Sequence, residues 1–458
     1  MFRRHWCGLP KDASFPSDLK RLGYFINEED EIRSSDSPDS YFKYFLNRNA
    51  RINQRQRFAF DYALEKVIYE RLEDEGLQKT PLPLGTSPSQ KHVPIFMDAN
   101  LETKSRVVVV FGETDKALGI LAGRVAGGRG GINKGSMVSV VKELRTQRST
   151  ATDAAPPGIV LANVGQLYWW PDEKRALTVS TSSAIPLPSL VHAGRKYHKE
   201  LNEIEQNETP AMHIQYVFNE VLAKTVGEKA VIDVVALGNT CDTIEEFLDN
   251  EKAWNTWGHR LSSVLLMDTI CEATKLTNSS FKDFLAKRAR CYLRCPDPVD
   301  TPLSPPAGNE SLYIAPLGMP CYSSSEPNYI ECILIKALHP ALSYLERNAL
   351  SPEAENEIII IIPKPQMDEG EQEGEGQNAL ELTDEDWGKV DDAAKPGLDI
   401  VDPGVIEKER KHLQMWKQFE ETSEAPHPNV GVEARADMEA VLEPEKAEFT
   451  ANSTDGSG

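Results

Sequence analysis

The stretch that decides the class of fold is residues 106–112, RVVVVFG, a short run that is almost wholly apolar and rich in valine. Comparable runs follow at 158–163 (GIVLAN), 231–237 (VIDVVAL) and 263–267 (SVLLM). Because these runs are continuously apolar rather than alternating with polar residues, they are typical of strands that are buried on both faces. The four runs therefore predict the central strands of a parallel sheet.

Segments with helical character separate these strands. Helices are predicted at 50–77, 136–144, 210–224, 242–250, 279–292 and 327–348, and one further strand at 93–97. Apolar strands that alternate with helices along the chain indicate an α/β fold, in which helices cover both faces of a mostly parallel sheet.

The charge of the chain is concentrated at its C-terminal end. Of the net charge of −21, residues 353–458 carry −19, from 28 acidic and 9 basic residues, so residues 1–352 are nearly neutral. The run DEGEQEGEGQ at 368–377 has too little apolar surface to order itself. We predict a flexible N-terminus over 1–14, a folded domain over 15–352 and an acidic, mostly disordered tail over 353–458.

Two segments of this tail have apolar residues of their own. Residues 357–363 (EIIIIIP) predict the last strand of the domain's own sheet, because a bare isoleucine strand is an aggregation hazard. The alternative is a segment that pairs with the sheet edge of a partner, in the manner of a SUMO-interacting segment. Residues 405–419 predict a short amphipathic helix, which either forms transiently or docks onto a partner or the body.

Composition narrows the compartment and the chemistry. No stretch approaches the roughly 20 apolar residues that span a bilayer, and residues 1–6 lack the apolar run of a secretory signal. Seven scattered cysteines suit a reducing, intracellular compartment. The spacing of Cys291, Cys295, Cys321 and Cys332 fits no standard zinc site, so we expect buried free thiols and predict no metal or cofactor.

A glycine-rich loop follows the strand RVVVVFG. It begins at Gly112, runs to about residue 135 and contains Gly127, Gly128, Arg129, Gly130 and Gly131. Between a strand and a helix, such a loop can turn its backbone N–H groups toward an anion or an oxyanion. The loop has neither the ending of a P-loop nor the spacing of a dinucleotide-binding motif. A flexible loop with turn glycines is the alternative.

The strand VIDVVAL runs into the sequence GNTCD at 238–242 and then into a predicted helix. An α/β-hydrolase places its nucleophile on a strand-to-helix turn of this kind, written G-x-S-x-G. Counting from Gly238 puts Thr240 at the nucleophile position and Asp242 where a small residue is needed. If the domain is active, Thr240 or Cys241 is the expected nucleophile. Asp268 is then a candidate orienting acid, although a local hydrogen bond is its simpler role.

A general base is missing from the place where such an enzyme would hold it. The segment 316–328, beyond the last predicted strand of the body, has no histidine, and His339 falls later, in a predicted helix. A base would have to come from His192, His198 or His213. We therefore predict that the domain is not an enzyme.

Residues 43–57 carry five cations and no acid. The cations are Lys43, Arg48, Arg51, Arg55 and Arg57, interleaved with Tyr44 and Phe45. Cations among aromatic residues can hold a nucleic-acid backbone and stack its bases. Because acidic residues follow on the same helix from Glu65 onward, a solvated helix face is the alternative.

Several long stretches of the chain resemble one family. They are 46–76, 94–140, 161–218, 254–258 (WNTWG) and 320–327 (PCYSSSEP). Over residues 15–350 the chain resembles the domain of the second fungal argonaute-binding protein. The resemblance implies a fold like that of an α/β-hydrolase and a role in an argonaute small-RNA chaperone complex that acts in heterochromatin silencing.

The same resemblance implies the partners and the compartment. A similar domain is appended to some fungal histone deacetylases as an accessory module, so an argonaute or a histone deacetylase is the implied partner, in nucleus and cytoplasm. The leading hypothesis is thus a non-catalytic protein-binding scaffold. The alternatives are an atypical hydrolase that uses Thr240 or Cys241 over an oxyanion site in the glycine-rich loop, and an RNA-binding module that uses residues 43–57.

Overall fold

The structure, a computed structural model, describes residues 9–190 and 197–360. These residues belong to the first of the two units into which the chain divides, Met1–Lys364. The predictions for the helix at 405–419, for the rest of the tail beyond Ile360 and for His192 lie outside the described residues.

The described residues contain thirteen strands. In chain order they are β1 (Tyr24–Ile26), β2 (Ile32–Ser34), β3 (Leu77–Leu82), β4 (Val93–Asp98), β5 (Arg106–Phe111), β6 (Gly158–Ala162), β7 (Tyr168–Trp170), β8 (Arg175–Leu177), β9 (Val231–Leu237), β10 (Leu261–Met267), β11 (Ala289–Leu293), β12 (Pro302–Ser304) and β13 (Cys321–Ser323).

Twelve α-helices connect the strands within the same residues. They are α1 (Ala50–Asp74), α2 (Gly123–Ala126), α3 (Gly131–Lys134), α4 (Met137–Thr146), α5 (Val179–Ser182), α6 (Lys199–Asn202), α7 (Pro210–Tyr216), α8 (Ala223–Thr225), α9 (Thr240–Asp249), α10 (Glu251–Trp257), α11 (Ser279–Arg288) and α12 (Ile333–Leu350). A π-helical segment, Val217–Leu222, joins α7 to α8. In the described part of the chain, no helix has the length and apolarity to cross a membrane.

Nine strands of the described residues form the main sheet, in the order β12-β13-β11-β10-β9-β5-β6-β4-β3. Seven of them run in one direction, whereas β4 and β12 run in the opposite one. The central strand β5 pairs in parallel with both β6 and β9. This arrangement, with helices on both faces, confirms the predicted α/β fold of the α/β-hydrolase type.

Strand β5 shows why its sequence is apolar throughout. Val107 and Val109 pack into the core on one face of the sheet, together with residues of α7, α9 and α11. Val108 and Val110 pack into a second core on the other face, against α1, α4 and α12. Because β5 contributes side chains to the core on both faces of the sheet, neither of its faces is available for polar residues.

The two charged residues within these central strands neutralise each other. Arg106 at the start of β5 donates from Nε to Asp233 Oδ2 of β9 at 2.6 Å, and both side chains are fully buried. Burial raises the pKa of Asp233, and the adjacent Arg106 guanidinium opposes that shift. Each charge in an apolar strand is tolerated because the neighbouring strand supplies its partner.

Two of the predicted helices have bounds that differ from the structure by four residues or more. The helix predicted over 279–292 ends at Arg288, and residues 289–293 instead form β11, which pairs with β10 and β13. The helix predicted from 327 begins at Ile333, because the Glu326 carboxylate accepts the N–H groups of Asn328 and Tyr329 and holds a turn there. Pairing and capping by distant or side-chain groups override the local signal in both cases.

The isoleucine run does not form the strand that we predicted for it, as far as it is described. Residues 358–360 have no regular secondary structure, and Ile358 and Ile360 are exposed while Ile359 packs against the core. Asn356 holds the segment, since its backbone N–H donates to Lys287 O and its amide donates to Ala289 O. The side chain of Asn356 thereby fastens this segment to the end of α11 and the start of β11.

Candidate functional site

The turn after β9 is where an α/β-hydrolase would carry its nucleophile. Gly238 has a φ of +54° and lies between the end of β9 and α9, and its N–H donates to Met267 O at 2.9 Å. In a nucleophile elbow the strained residue of the turn is the one that carries the nucleophile. Here that residue is Gly238, which we call the apex of the turn, and it has no side chain to serve as a nucleophile. Thr240 lies two residues further along the chain. It therefore does not occupy the nucleophile position to which we assigned it by counting from Gly238.

The side chain of Glu113 lies over this apex. A Cβ atom built on Gly238 would be 3.0 Å from Glu113 Cγ and 3.2 Å from Cδ. The Glu113 side chain is only 15% exposed, and its burial raises its pKa to about 7 while the ammonium of Lys116, 3.8 Å away, opposes the shift. A carboxyl group of the chain therefore fills the space into which a nucleophile would project.

The two predicted nucleophiles are both fully buried. The Thr240 hydroxyl donates to the carbonyl of Gly112 at 2.6 Å. The Cys241 thiol donates to the carbonyl of Ala236 at 3.2 Å, and burial raises its pKa well above the usual value. Because the thiolate is the reactive form of cysteine, a raised pKa makes Cys241 a poor nucleophile. Both side chains fasten the turn to neighbouring strands.

The candidate acid Asp268 lies at the end of β10. Its carboxylate accepts from Arg294 Nε at 3.0 Å, and its φ of +70° places it in the left-handed region. Burial raises the pKa of Asp268, with Arg294 acting in the opposite direction. The partner of Asp268 is thus not a group close in sequence but Arg294, which directly follows β11.

A further buried carboxyl group lies on α9, and sequence reasoning missed it. Glu245 on α9 is fully buried, its Oε2 is 2.5 Å from the hydroxyl of Thr269, and burial raises its pKa to about 8. The same hydroxyl is 2.9 Å from Asp242 Oδ1. The signal available in the sequence is that residue 245 follows 241 by one helical turn, on the apolar face of α9.

Of the candidate histidines that the structure describes, two have partners elsewhere and one is exposed. His213 is fully buried, with its Nε2 accepting the N–H of Asn163 at 3.1 Å and its Nδ1 2.7 Å from Asn207 Oδ1. Burial lowers the pKa of His213 to about 3. His339 pairs with a glutamate on the surface, and His198 is exposed at the start of α6. Among the described residues, no histidine is hydrogen-bonded to Thr240, Cys241 or Asp268.

The four cysteines considered as zinc ligands are free thiols. Cys291 and Cys321 are buried opposite each other on the adjacent strands β11 and β13, Cys332 is buried, and Cys295 is partly exposed. The described residues contain no group of three or more side chains arranged to hold a metal ion.

The glycine-rich segment packs against the turn between β1 and β2. The N–H of Gly130 donates to Glu31 Oε1 at 2.9 Å, and the N–H of Asn133 donates to Asp30 Oδ2 at 2.7 Å. A Cβ atom on Gly131 would lie 2.7 Å from the Asp30 carbonyl oxygen, so only glycine fits this close approach. The anion that the backbone N–H groups hold is thus a pair of carboxylates from the same chain.

The other members of the predicted anion site are distributed differently. Gly127 and Gly128 close the short helix α2 through bonds to Gly123 and Val125, while Arg129 is exposed. Gly112 lies at the end of β5, where its carbonyl accepts from Thr240. The N–H groups of Gly127, Gly128, Gly130 and Gly131 are therefore bound by groups of the same chain and not left for the external anion that we predicted over 112–131.

The cations of the basic run 43–57 fall into two groups, one with internal partners and one exposed to solvent. Arg51 pairs with Asp12 at 2.7 Å and donates to Ile185 O, and buried Arg55 donates to Ala13 O and Ala184 O. Arg57 pairs with Asp61 on the next turn of α1. Lys43 and Arg48 remain exposed. Arg51 and Arg55, which we predicted as nucleic-acid contacts, fasten the N-terminal segment and the loop after α5 to α1.

A cleft of about 370 Å³ lies between α1, the loop after β5 and the β7–β8 hairpin. The charges that line it form pairs: Arg57 with Asp61, Arg175 with Glu65, and both Lys116 and Arg124 with Glu331. Every lysine and arginine of the lining has an acidic partner among the described residues, so the cleft has no free cation with which to hold a phosphate.

The fold and the turn after β9 define an α/β-hydrolase-like domain that has glycine at the apex of its elbow. The sequence model of the Arb2 domain matches residues 15–299, which is more than half of the chain. The chain therefore belongs to the Arb2 domain family, the family of argonaute-binding protein 2. A comparison with curated proteins finds no match. The predicted family is confirmed, and at the level of the family it supports an argonaute-linked role.

Proposed function

We propose that this chain is a non-catalytic protein-binding scaffold in argonaute-linked small-RNA silencing, or in regulation associated with a histone deacetylase, acting inside the cell in nucleus and cytoplasm. Membership of the Arb2 domain family supports the protein-binding role and the link to argonaute. The choice of histone deacetylase as a second partner rests on the family resemblance alone.

The observation that carries the non-catalytic part is the pairing of Gly238 with Glu113. An acyl-transfer enzyme of this fold needs a side chain at the apex and a base in hydrogen-bond reach of it. In this domain the apex is glycine and the carboxyl group of Glu113 fills the space above it.

The two alternatives are less well supported. A hydrolase that uses Thr240 or Cys241 would have to expose a side chain that is fully buried and hydrogen-bonded. An RNA-binding module that uses residues 43–57 would have to release Arg51 and Arg55 from contacts that hold the domain together.

The test of the scaffold function is affinity purification of the tagged full chain from its native cells, followed by identification of the proteins that co-purify. We expect an argonaute or a histone deacetylase. A shortened chain should be cut after Lys364 and not at 352, because Asn356 and Ile359 contact the body. Recovery of neither partner with the full chain would contradict the proposal.

The catalytic question needs a separate measurement. The purified full chain is treated with a fluorophosphonate probe and with a panel of simple esters, beside a variant in which Thr240 and Cys241 are both replaced by valine. We expect no labelling and no turnover in either protein. Turnover that the double variant abolishes, in a chain that remains folded, would establish the hydrolase instead.

A further inference from the structure

The loop before α1 presents an apolar pair to solvent. Phe45 is 75% exposed and Leu46 is 48% exposed, and they are flanked in sequence by the exposed cations Lys43 and Arg48. We call these four side chains the 43–48 surface. Neighbouring exposed apolar residues in a folded domain mark a binding site more often than a single exposed residue does.

This loop is held in place rather than frayed. The side chain of Asn53, buried on the first turns of α1, accepts the N–H groups of Leu46 and Asn47 at 3.0 Å and donates to the carbonyl of Asn47 at 2.8 Å. The Tyr44 ring meets the Phe45 ring edge to face, with centroids 4.9 Å apart. Because the loop is already ordered, binding through Phe45 and Leu46 costs little conformational entropy.

The cations of the 43–48 surface differ from the other cations of the same run. Arg51, Arg55 and Arg57 all have acidic partners, whereas Lys43 and Arg48 have no ion-pair partner in the part of the chain that the structure describes. Two free positive charges beside an apolar pair complement a ligand that carries carboxylates beside apolar side chains.

Charge and exposure favour a protein ligand over RNA. A single-stranded nucleic acid is held by a groove of several cations that follows its backbone, with aromatic faces for stacking. Only two free cations remain here, and the exposed ring of Phe45 already makes an edge-to-face contact with its neighbour Tyr44. An acidic peptide needs no more than these two charges and the apolar anchors.

We propose that the 43–48 surface binds an acidic, apolar segment of a protein partner. Phe45 and Leu46 are the anchors, and Lys43 and Arg48 pair with carboxylates that flank the apolar residues of the segment. The inference rests on the proposed protein-binding function and assigns it a place on the domain.

The experiment measures binding by the purified full chain with fluorescence anisotropy. The probe is a labelled synthetic peptide in which aspartate and glutamate alternate with leucine and tryptophan. The reference peptide has asparagine and glutamine in place of the acids, and a labelled single-stranded RNA is the third ligand. The variants are F45A/L46A and K43E/R48E. The matched control is L312A/Y313A, which removes another exposed apolar pair, 50% and 96% exposed, from a distant part of the sequence.

We expect the acidic peptide to bind the wild-type chain, and each of the two surface variants to weaken binding about tenfold or more. L312A/Y313A should leave the affinity unchanged, and the reference peptide should bind more weakly than the acidic one. Circular dichroism and the thermal midpoint show that each variant is folded. No binding of the acidic peptide, equal binding by the surface variants, or stronger binding of the RNA would each overturn the inference.

The same variants separate this inference from the proposed function. When the tagged chains are purified from native cells, F45A/L46A should lose the partner that the wild type and L312A/Y313A retain. A partner that all three retain would leave the scaffold function in place and overturn its assignment to the 43–48 surface. The absence of any argonaute or histone deacetylase from the wild-type sample, together with binding of the acidic peptide, would contradict the proposed function alone.

Discussion

The turn after β9 and the 43–48 surface contain the kinds of residue that bind ligands, yet the chain treats them in opposite ways. At the turn, Glu113 covers the apex and the Thr240 hydroxyl is bonded to a carbonyl of the chain. At the surface, Lys43, Phe45 and Arg48 are left to solvent. The difference teaches that residue type predicts what a group can bind, whereas the fold decides whether its partner is internal or external.

The largest effect is expected where an internal partner is removed from the basic run. We expect Arg55→Ala to lower the free energy of unfolding by about 3–5 kcal/mol, because it deletes a buried guanidinium, leaves the carbonyls of Ala13 and Ala184 without their donor and weakens the pairing of Asp12. Equilibrium unfolding in urea measures the change.

The control for this prediction is Arg48→Ala, from the exposed part of the same run. Its free energy of unfolding should match that of the wild type within about 0.5 kcal/mol, because an exposed side chain without a partner contributes little. Similar losses for the two arginines would remove the distinction between the two halves of the run.

The next effect concerns pH and the buried Glu245. Burial raises the pKa of this carboxyl group from 4.5 to about 8. Between these values the native state holds a proton that the unfolded state releases, so the stability that protonation provides is lost as pH rises toward 8. The contribution amounts to roughly 3 kcal/mol between pH 5 and pH 8.

Urea unfolding of the wild type and of Glu245→Gln at several pH values tests this dependence. The glutamine keeps an oxygen for the hydroxyl of Thr269 but cannot ionise, so the difference in stability between the two proteins should change by roughly 3 kcal/mol over this pH range. If the difference in free energy of unfolding between the two proteins stays constant from pH 5 to pH 8, Glu245 is ionised over the whole range. Its carboxyl group would then not be buried away from water as the structure indicates.

A smaller effect is expected at the apex itself. Gly238→Ala should lower the free energy of unfolding by about 2 kcal/mol, because alanine is strained at a φ of +54° and its Cβ meets Glu113. In the double variant G238A/E113A the contact is relieved and only the backbone strain remains. Additive losses in this double-mutant cycle would mean that Glu113 does not occupy the apex.

The general arrangement of this fold could be predicted from the sequence, because β5, β6, β9 and β10 are continuously apolar and helices alternate with them. Strand β11 could not, since residues 289–293 carry a helical pattern and become a strand only by pairing with β10 and β13. The apex was misplaced for a similar reason. The G-x-S-x-G spacing fixes no backbone angle, and the left-handed residue proved to be Gly238 and not Thr240.

Glu113 and Glu245 illustrate what the sequence conceals about a site. Each is an ordinary glutamate in its local context, one in a loop and one in an amphipathic helix. Their raised pKa values come from burial against elements that are distant in the chain. Arg55 is buried because Asp12, Ala13 and Ala184 bind its guanidinium group. Lys43 and Arg48 meet no such groups and stay exposed. A local sequence pattern cannot predict which distant residues reach α1.

The smallest effect distinguishes a structural hydroxyl from a reactive one. Thr240→Val should lower the free energy of unfolding by about 1 kcal/mol, because the carbonyl of Gly112 loses its hydrogen bond inside the protein. Thr240→Ser keeps the hydroxyl and removes the β-branch that hinders a nucleophile. If the hydroxyl is an internal fastening of the turn, the serine variant stays unreactive toward a fluorophosphonate probe. Labelling at residue 240 would mean that the turn opens to solvent, and the contrast with the 43–48 surface would then be lost.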